Sequence, residues 1–118
     1  MSETPVATPV TIEKVGGAIV ARPQVKLMDA AVIKALKLSV AEAAGDGADT
    51  PLVVVDLSRV AILPSLALGG LLEIANACKA RGQTLKLAGL QPQIRKVLSV
   101  TRLDTLFPIA DTVEAAVG

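Results

Sequence analysis

The chain contains no histidine, tryptophan or tyrosine, and it has only one phenylalanine and one cysteine. Without histidine it lacks the commonest general base near neutral pH and the commonest metal ligand. The lone Cys78 cannot form an internal disulfide, which suits a reducing compartment. Because Cys78 falls on the apolar stripe of a predicted helix, we interpret it as a core thiol. We therefore expect a protein that is not an enzyme and that has no metal site and no cofactor.

An excess of charge of one sign is also absent. Twelve basic and eleven acidic residues give a formal net charge of +1, which offers no electrostatic reason to bind nucleic acid or an anionic membrane directly. Neither the GxGxxG nor the GxxxxGK[ST] phosphate-binding motif occurs. The longest uncharged run, residues 60–72, is shorter than the roughly 20 residues that span a bilayer, and the N-terminus lacks the pattern of a secretory signal. We predict a cytoplasmic location.

Aliphatic residues dominate what is present, since 52% of the 118 residues are hydrophobic. A chain of this length forms about one domain, and its core must consist of Val, Leu, Ile and Ala. Residues 1–9 contain two prolines and no periodic pattern, so we predict a flexible N-terminal arm. The remainder, residues 10–118, is predicted to form one α/β domain.

The stretch from Pro51 to Gly82 predicts a buried strand, a tight connection and a helix. Leu52–Val55 is an uninterrupted aliphatic run, which is typical of a strand covered on both faces in a parallel sheet. After Pro64, apolar residues recur at helical spacing, and Gly82 is placed like the residue that follows a helix. The predicted inward stripe consists of Leu68, Leu71, Leu72, Ala75 and Cys78.

Shorter patterns predict the remaining elements. The Gly16-Gly17 pair indicates a hairpin turn, Asp29 is a preferred helix N-cap, Pro92 suits the start of a helix, and Asp111 and Glu114 have capping-box spacing. The elements are a hairpin of 10–15 and 18–21, a helix from 29 to 44, a loop over 45–50, a strand over 84–88, a helix from 92, an edge strand over 106–109 and a helix ending at 118. The order β-β-α-β-α-β-α-β-α implies a mixed, mostly parallel sheet with an N-terminal hairpin and about four helices.

The run VVVDLSRVAILPSLALGGLLEIANACKARGQTLKLAGLQPQIRKVLSVTRLDTLFPI resembles the STAS domain of anti-sigma factor antagonists. The resemblance covers residues 10–117. It implies a sheet with helices on one face and a strand-to-helix corner that a partner kinase, itself an anti-sigma factor, phosphorylates in the family. The unmodified form binds that kinase and frees the sigma factor. The resemblance therefore implies a non-catalytic protein-interaction module that takes part in partner switching and transcription regulation.

Laid on this chain, the family's corner motif Asp-Ser-Ser/Thr-Gly corresponds to residues 64–67, PSLA. Leu66 stands at the usual phosphoacceptor position and has no hydroxyl. Ser65 is the one match, as N-cap of the helix or as an acceptor shifted by one residue. Asp29 corresponds to an acidic residue near the corner in the family, although capping alone would explain it.

The outward face of the central helix completes the predicted partner-binding surface, with Ile74 as an apolar anchor and small residues permitting close approach. That surface comprises Leu63, Leu66, Ala67, Gly69, Gly70, Glu73 and Ile74. The expected partner is a regulatory protein such as an anti-sigma factor kinase, and the edge of the hairpin could pair with a second copy. Two alternatives stay open: a constitutive scaffold subunit without a switch, and a small-ligand-binding domain.

Overall fold

The computed structural model describes residues 9–44 and 51–118. The arm predicted for the first residues, except Pro9, and the loop predicted at 45–50 lie outside this range. The strands are β1 (Val10–Val15), β2 (Ala18–Pro23), β3 (Leu52–Asp56), β4 (Thr84–Ala88) and β5 (Ile109–Ala110). The helices are α1 (Ala30–Ala44), α2 (Ser65–Ala80), α3 (Pro92–Val100) and α4 (Val113–Val117), with a 3-10 turn at Leu103–Thr105. The predicted order of elements is confirmed.

The five strands form one sheet in the order β1-β2-β3-β4-β5. Strands β1 and β2 form the antiparallel hairpin, and every other neighbouring pair is parallel. Gly16 has the positive φ that the hairpin turn requires. The predicted mixed, mostly parallel sheet is confirmed.

Successive residues of β3 face opposite sides of the sheet and belong to two separate apolar clusters. Val53 and Val55 pack into the large core beneath α1, α2 and α3. Val54 lies on the other face, in a small cluster with Ala116 of α4. The expectation that all helices share one face is therefore wrong for α4, because β3 is apolar on both faces and needs a cover on each.

Most predicted bounds agree closely with the structure. Strand β2 continues two residues beyond its predicted end, to Pro23, because Arg22 and Pro23 still pair with β1. The other differences lie near the C-terminus. The edge strand begins after Pro108 and not at Leu106, because Pro108 lacks the N–H that a strand residue donates. Thr112, not Asp111, caps α4 by accepting a hydrogen bond from the Ala115 N–H at 3.0 Å. The Asp111 carboxylate instead forms an ion pair with Arg95 at 3.0 Å.

Two contacts fix the carboxyl end of the sheet, where the candidate site lies. Arg22 of β2 forms ion pairs with Glu13 of β1 and, at 3.1 Å, with Asp56 of β3. The same Asp56 accepts a hydrogen bond from the Ser58 N–H at 3.0 Å. The chain is thus held in place where it leaves β3 and turns toward α2.

Candidate functional site: the corner between β3 and α2

The connection from β3 to α2 buries three of its side chains in the core, and its backbone pairs with the segment that follows β2. Leu57, Val60 and Leu63 are buried in the core. Leu27 and Ile62 form a parallel bridge, and the Lys26 carbonyl accepts hydrogen bonds from the N–H groups of Ala61 and Ile62. Backbone hydrogen bonds and buried side chains therefore hold this connection in place.

Pro64 occupies the N-cap position of α2, so the prediction that Ser65 caps this helix is wrong. The extended backbone of Pro64 (φ −66°, ψ 162°) lets its carbonyl accept from the N–H groups of Ala67 and Leu68. Ser65 becomes the first helical residue, and its exposed hydroxyl makes no hydrogen bond with any residue that the structure describes. By contrast, the prediction that Asp29 caps α1 is confirmed, since Asp29 Oδ1 accepts from the Val32 N–H at 3.0 Å. Its correspondence to an acidic residue near the corner in the family stays a prediction.

The structure divides the predicted partner-binding residues into two groups. Leu66, Gly69 and Glu73 are exposed along one side of α2, and the Leu66 residue is 66% exposed. The other four are buried: Leu63, Ala67, Gly70 and Ile74. Ile74 is only 2% exposed and belongs to the main core, so the expectation that it points outward as an anchor is wrong.

The polar residues of α2 indicate which face of the helix is exposed. Glu73 and Asn76 are both exposed, and with Leu66 and Gly69 they recur at spacings of three and four. Leu72 and Ala75, predicted inward, are only half-buried, whereas Ala67 and Ile74 take core positions. The polar pair Glu73 and Asn76 is the signal in the sequence that would have fixed the phase of the helix.

Sequence reasoning missed two exposed apolar side chains that lie, like Leu66, at the carboxyl end of the sheet. Ile62 is 56% exposed and Leu27 is 44% exposed, and the backbone bridge holds them next to each other. We call Leu27, Ile62, Leu66 and Gly69 the corner surface. The missed signal was the stretch before the helix, because Leu27 and Ile62 follow their strands at the same end of the sheet.

A groove of about 450 Å³ continues the corner surface between α1 and α2. Its lining residues are Ala30, Ile33, Lys34, Lys37, Ser65, Leu66, Gly69, Gly70 and Glu73. Lys37 and Glu73 form an ion pair across it at 3.7 Å. The groove is open to solvent and its lining is mostly apolar, with Lys34, Lys37 and Glu73 as its charged residues.

The two helices approach closely at Gly70. A Cβ atom added to Gly70 would lie within 3.3 Å of three side-chain atoms of Ile33 on α1. Ile33 cannot easily move away, because a β-branched side chain has one strongly preferred rotamer in a helix. Gly69 differs, since an added Cβ there would meet nothing within 4 Å.

Alanine at these adjacent glycines is expected to have opposite effects on stability. Gly70→Ala should lower the free energy of unfolding by about 1–3 kcal/mol through overpacking against Ile33. Gly69→Ala should raise it by roughly 0.5–1 kcal/mol, because alanine is the better helix former. Urea denaturation of both variants measures this difference. Combining Gly70→Ala with Ile33→Ala should recover part of the loss, and equal effects at both glycines would contradict the close approach.

Reactive chemistry is sparse around the corner. No three His, Cys, Asp or Glu side chains within residues 9–44 and 51–118 come together to hold a metal ion. The thiol of Cys78 lies in the core, and burial raises its pKa more than the nearby Arg81 lowers it. A thiol in this position stays protonated and is a poor nucleophile. In the same ranges, no helix is both long and apolar enough to cross a membrane.

The whole described domain, including the corner, agrees with one protein family. The family model of the STAS domain matches residues 9–116. The chain belongs to the STAS-domain family. The STAS fold that the resemblance implied is thereby confirmed.

Solved structures share this STAS fold at low sequence identity. A proposed anti-sigma factor antagonist of Thermotoga maritima superposes with a TM-score of 0.78 at 22% identity, covering 92% of this chain and 91% of that chain. An anti-sigma factor antagonist from Mycobacterium paratuberculosis gives 0.72 at 24%, covering 92% and 89%. The phosphorylated form of SpoIIAA, a Bacillus cell fate determinant, gives 0.66 at 19%, covering 90% and 95%. At these identities the likeness shows the fold alone.

The residue that the resemblance assigns to the family's phosphoacceptor position, Leu66, is an exposed leucine. Leu66 lies in the first turn of α2, and its side chain stands at the mouth of the groove between α1 and α2. Leucine has no hydroxyl to receive a phosphate. The nearest hydroxyl belongs to Ser65, which is also exposed and also lines the groove.

Proposed function

We propose that this protein is a non-catalytic regulator of the anti-sigma factor antagonist type, which binds an anti-sigma factor through the corner surface. The observation on which this rests is the exposure of Leu66 in the first turn of α2 and of Ile62 in the connection that leads to it. Several exposed large apolar side chains at one end of a small domain are typical of an interaction site. In the family the same corner meets the partner kinase.

Binding at this corner is proposed to be insensitive to the partner's kinase activity. A phosphate adds about two negative charges and a bulky group, and at the family's acceptor position it would oppose close apolar contact. Leu66 cannot be modified in this way. The protein would then remain permanently in the binding state, and its effect would depend on its concentration and not on its modification.

Ser65 supports a second candidate, a switch shifted by one residue. Its hydroxyl is exposed and makes no hydrogen bond with the described residues, so a kinase could reach it. A phosphate there would lie at the N-terminus of α2, where the helix dipole and the unpaired N–H groups stabilise negative charge. The modified helix would stay folded while the charge at the mouth of the groove changed.

One experiment distinguishes the two candidates and tests the function itself. Each anti-sigma factor of the organism that makes this protein is purified, and its dissociation constant is measured by isothermal titration calorimetry before and after incubation with Mg-ATP. We expect one of them to bind at micromolar or tighter affinity and the affinity to persist after incubation. Binding lost together with a phosphate on Ser65 would favour the shifted switch, for which Ser65→Ala is the control. Binding to none of them would contradict the proposal and favour a scaffold or ligand-binding role.

A further inference from the structure

We infer that the corner surface accepts a partner segment that is acidic as well as apolar, with carboxylates placed around one or more aliphatic side chains. This inference rests on the proposed function and adds the chemistry of the partner to it. It comes from the charges that border the corner surface and from which of them are already neutralised.

Basic side chains border the corner surface on both sides. Lys34 and Lys37 line the groove between α1 and α2. On the other side, Lys26 and Arg59 share a second groove of about 360 Å³, and the backbone of Lys26 pairs with Ile62. All four side chains belong to exposed residues.

Three acidic residues lie in the same area, and one of them, Asp56, forms an ion pair with Arg22 at 3.1 Å. Asp29 Oδ1 accepts a hydrogen bond from the Val32 N–H at the start of α1. Glu73 forms its ion pair with Lys37. Lys26, Lys34 and Arg59 take part in none of the ion pairs among the described residues. Asp29 also forms no ion pair there and keeps its negative charge, because its backbone N–H partner is neutral. The charges around the corner surface that form no ion pair among the described residues are therefore three positive, Lys26, Lys34 and Arg59, and one negative, Asp29.

This arrangement favours one class of docking segment over its alternatives. A basic segment would place like charges opposite Lys26, Lys34 and Arg59, and like-charge contacts across an interface cost several kcal/mol. A purely apolar segment would cover Leu27, Ile62 and Leu66 but would leave the three cations without partners. An acidic and apolar segment satisfies both requirements, and its charge would also speed the encounter.

The test uses the anti-sigma factor that binds in the calorimetric experiment above as the probe. Because charges at the rim of an interface are screened by salt, we expect its affinity for the wild-type protein to fall by about tenfold between 50 and 300 mM NaCl. Lys34→Glu and Arg59→Glu should each weaken binding by about tenfold at 50 mM NaCl. The double variant should lose most of the salt dependence.

Lys96→Glu is the matched control. Lys96 is an exposed cation on α3 and takes no part in the described ion pairs. It lines a groove with the exposed Val100, and that groove includes no residue of the corner surface. This control should change the affinity by less than about twofold. A carbodiimide, which joins lysine amines directly to carboxylates, should link Lys26 or Lys34 to an Asp or Glu of the probe.

The outcomes separate the inference from the function on which it rests. If Leu66→Asp abolishes binding while the affinity is independent of salt and Lys34→Glu and Arg59→Glu behave like Lys96→Glu, the corner surface binds the probe but the acidic partner is wrong. Stronger binding by Lys34→Glu would show a basic partner and would overturn the inference equally. If Leu66→Asp has no effect, docking at the corner surface itself is wrong.

Discussion

Replacement of Ile74 by aspartate is expected to unfold the domain, although sequence periodicity alone places this residue on the outer face of α2. Ile74 is one of the largest fully enclosed side chains of the main core. An ionised carboxylate without a partner in such a place destabilises a fold by several kcal/mol. Since a domain of this size is stable by roughly 5–15 kcal/mol, that loss takes most or all of its stability. Far-UV circular dichroism and urea denaturation would measure it.

Two neighbouring substitutions serve as controls for Ile74→Asp. Ile74→Val removes one methyl group and should lower the free energy of unfolding by only about 0.5–1.5 kcal/mol. Asn76→Asp introduces the same carboxylate two residues later at an exposed position of α2, and it should change stability by about 0.5 kcal/mol or less. A folded Ile74→Asp variant with wild-type stability would show that the inward phase of α2 is wrong.

The fold could be predicted from the sequence because its elements have strong and mutually consistent local signals. The aliphatic run Leu52–Val55, the Gly16-Gly17 turn and Pro92 each allow few alternatives. Gly82 ends α2 as predicted, with φ +79°, while the Gln83 N–H donates to the Cys78 carbonyl and the Gly82 N–H to the Lys79 carbonyl. The sequence did not predict that α4 covers the second face of β3, because α4 is short and forms only a small apolar cluster there.

The candidate site was harder to predict because α2 is apolar almost all around. In SLALGGLLEIANACKA, many faces of a helix would look hydrophobic, so apolar spacing alone does not fix the phase. Gly70 is buried only because Ile33 of α1 approaches it, which is a contact between elements far apart in the sequence. Ser65 is a favoured N-cap residue by type, yet Pro64 takes that position because its extended backbone already directs its carbonyl into the helix.

The corner surface also depends on the backbone pairing of Leu27 with Ile62, which no local sequence pattern predicts. Leu27 and Ile62 are brought together by the backbone bridge between two connections, each of which follows a parallel strand. Once β2 and β3 are known to be adjacent and parallel, their carboxyl ends must lie at the same edge of the sheet. The positions of Leu27 and Ile62 in the site could therefore be predicted from the sheet topology but not from local sequence patterns.

Leu66→Asp is expected to weaken binding to the anti-sigma factor by about 100-fold or more without destabilising the domain. The leucine side chain is the most exposed large apolar group at the corner surface, and a buried apolar anchor at an interface contributes about 2 kcal/mol or more. Aspartate would have to lose its hydration against the partner. In the free protein, however, it would lie in the first turn of α2, where a carboxylate is favoured by about 0.3–1 kcal/mol.

This combination makes Leu66→Asp a sharper test than a substitution in the core, because a loss of binding cannot be attributed to unfolding. Calorimetric titration gives the affinity, and urea denaturation gives the stability of the same sample. Val100→Asp is the matched control: Val100 is 73% exposed on α3, and its substitution should leave the affinity within about twofold of wild type. If Val100→Asp weakens binding as much as Leu66→Asp, negative charge alone is responsible; if Leu66→Asp binds like wild type, the partner docks elsewhere.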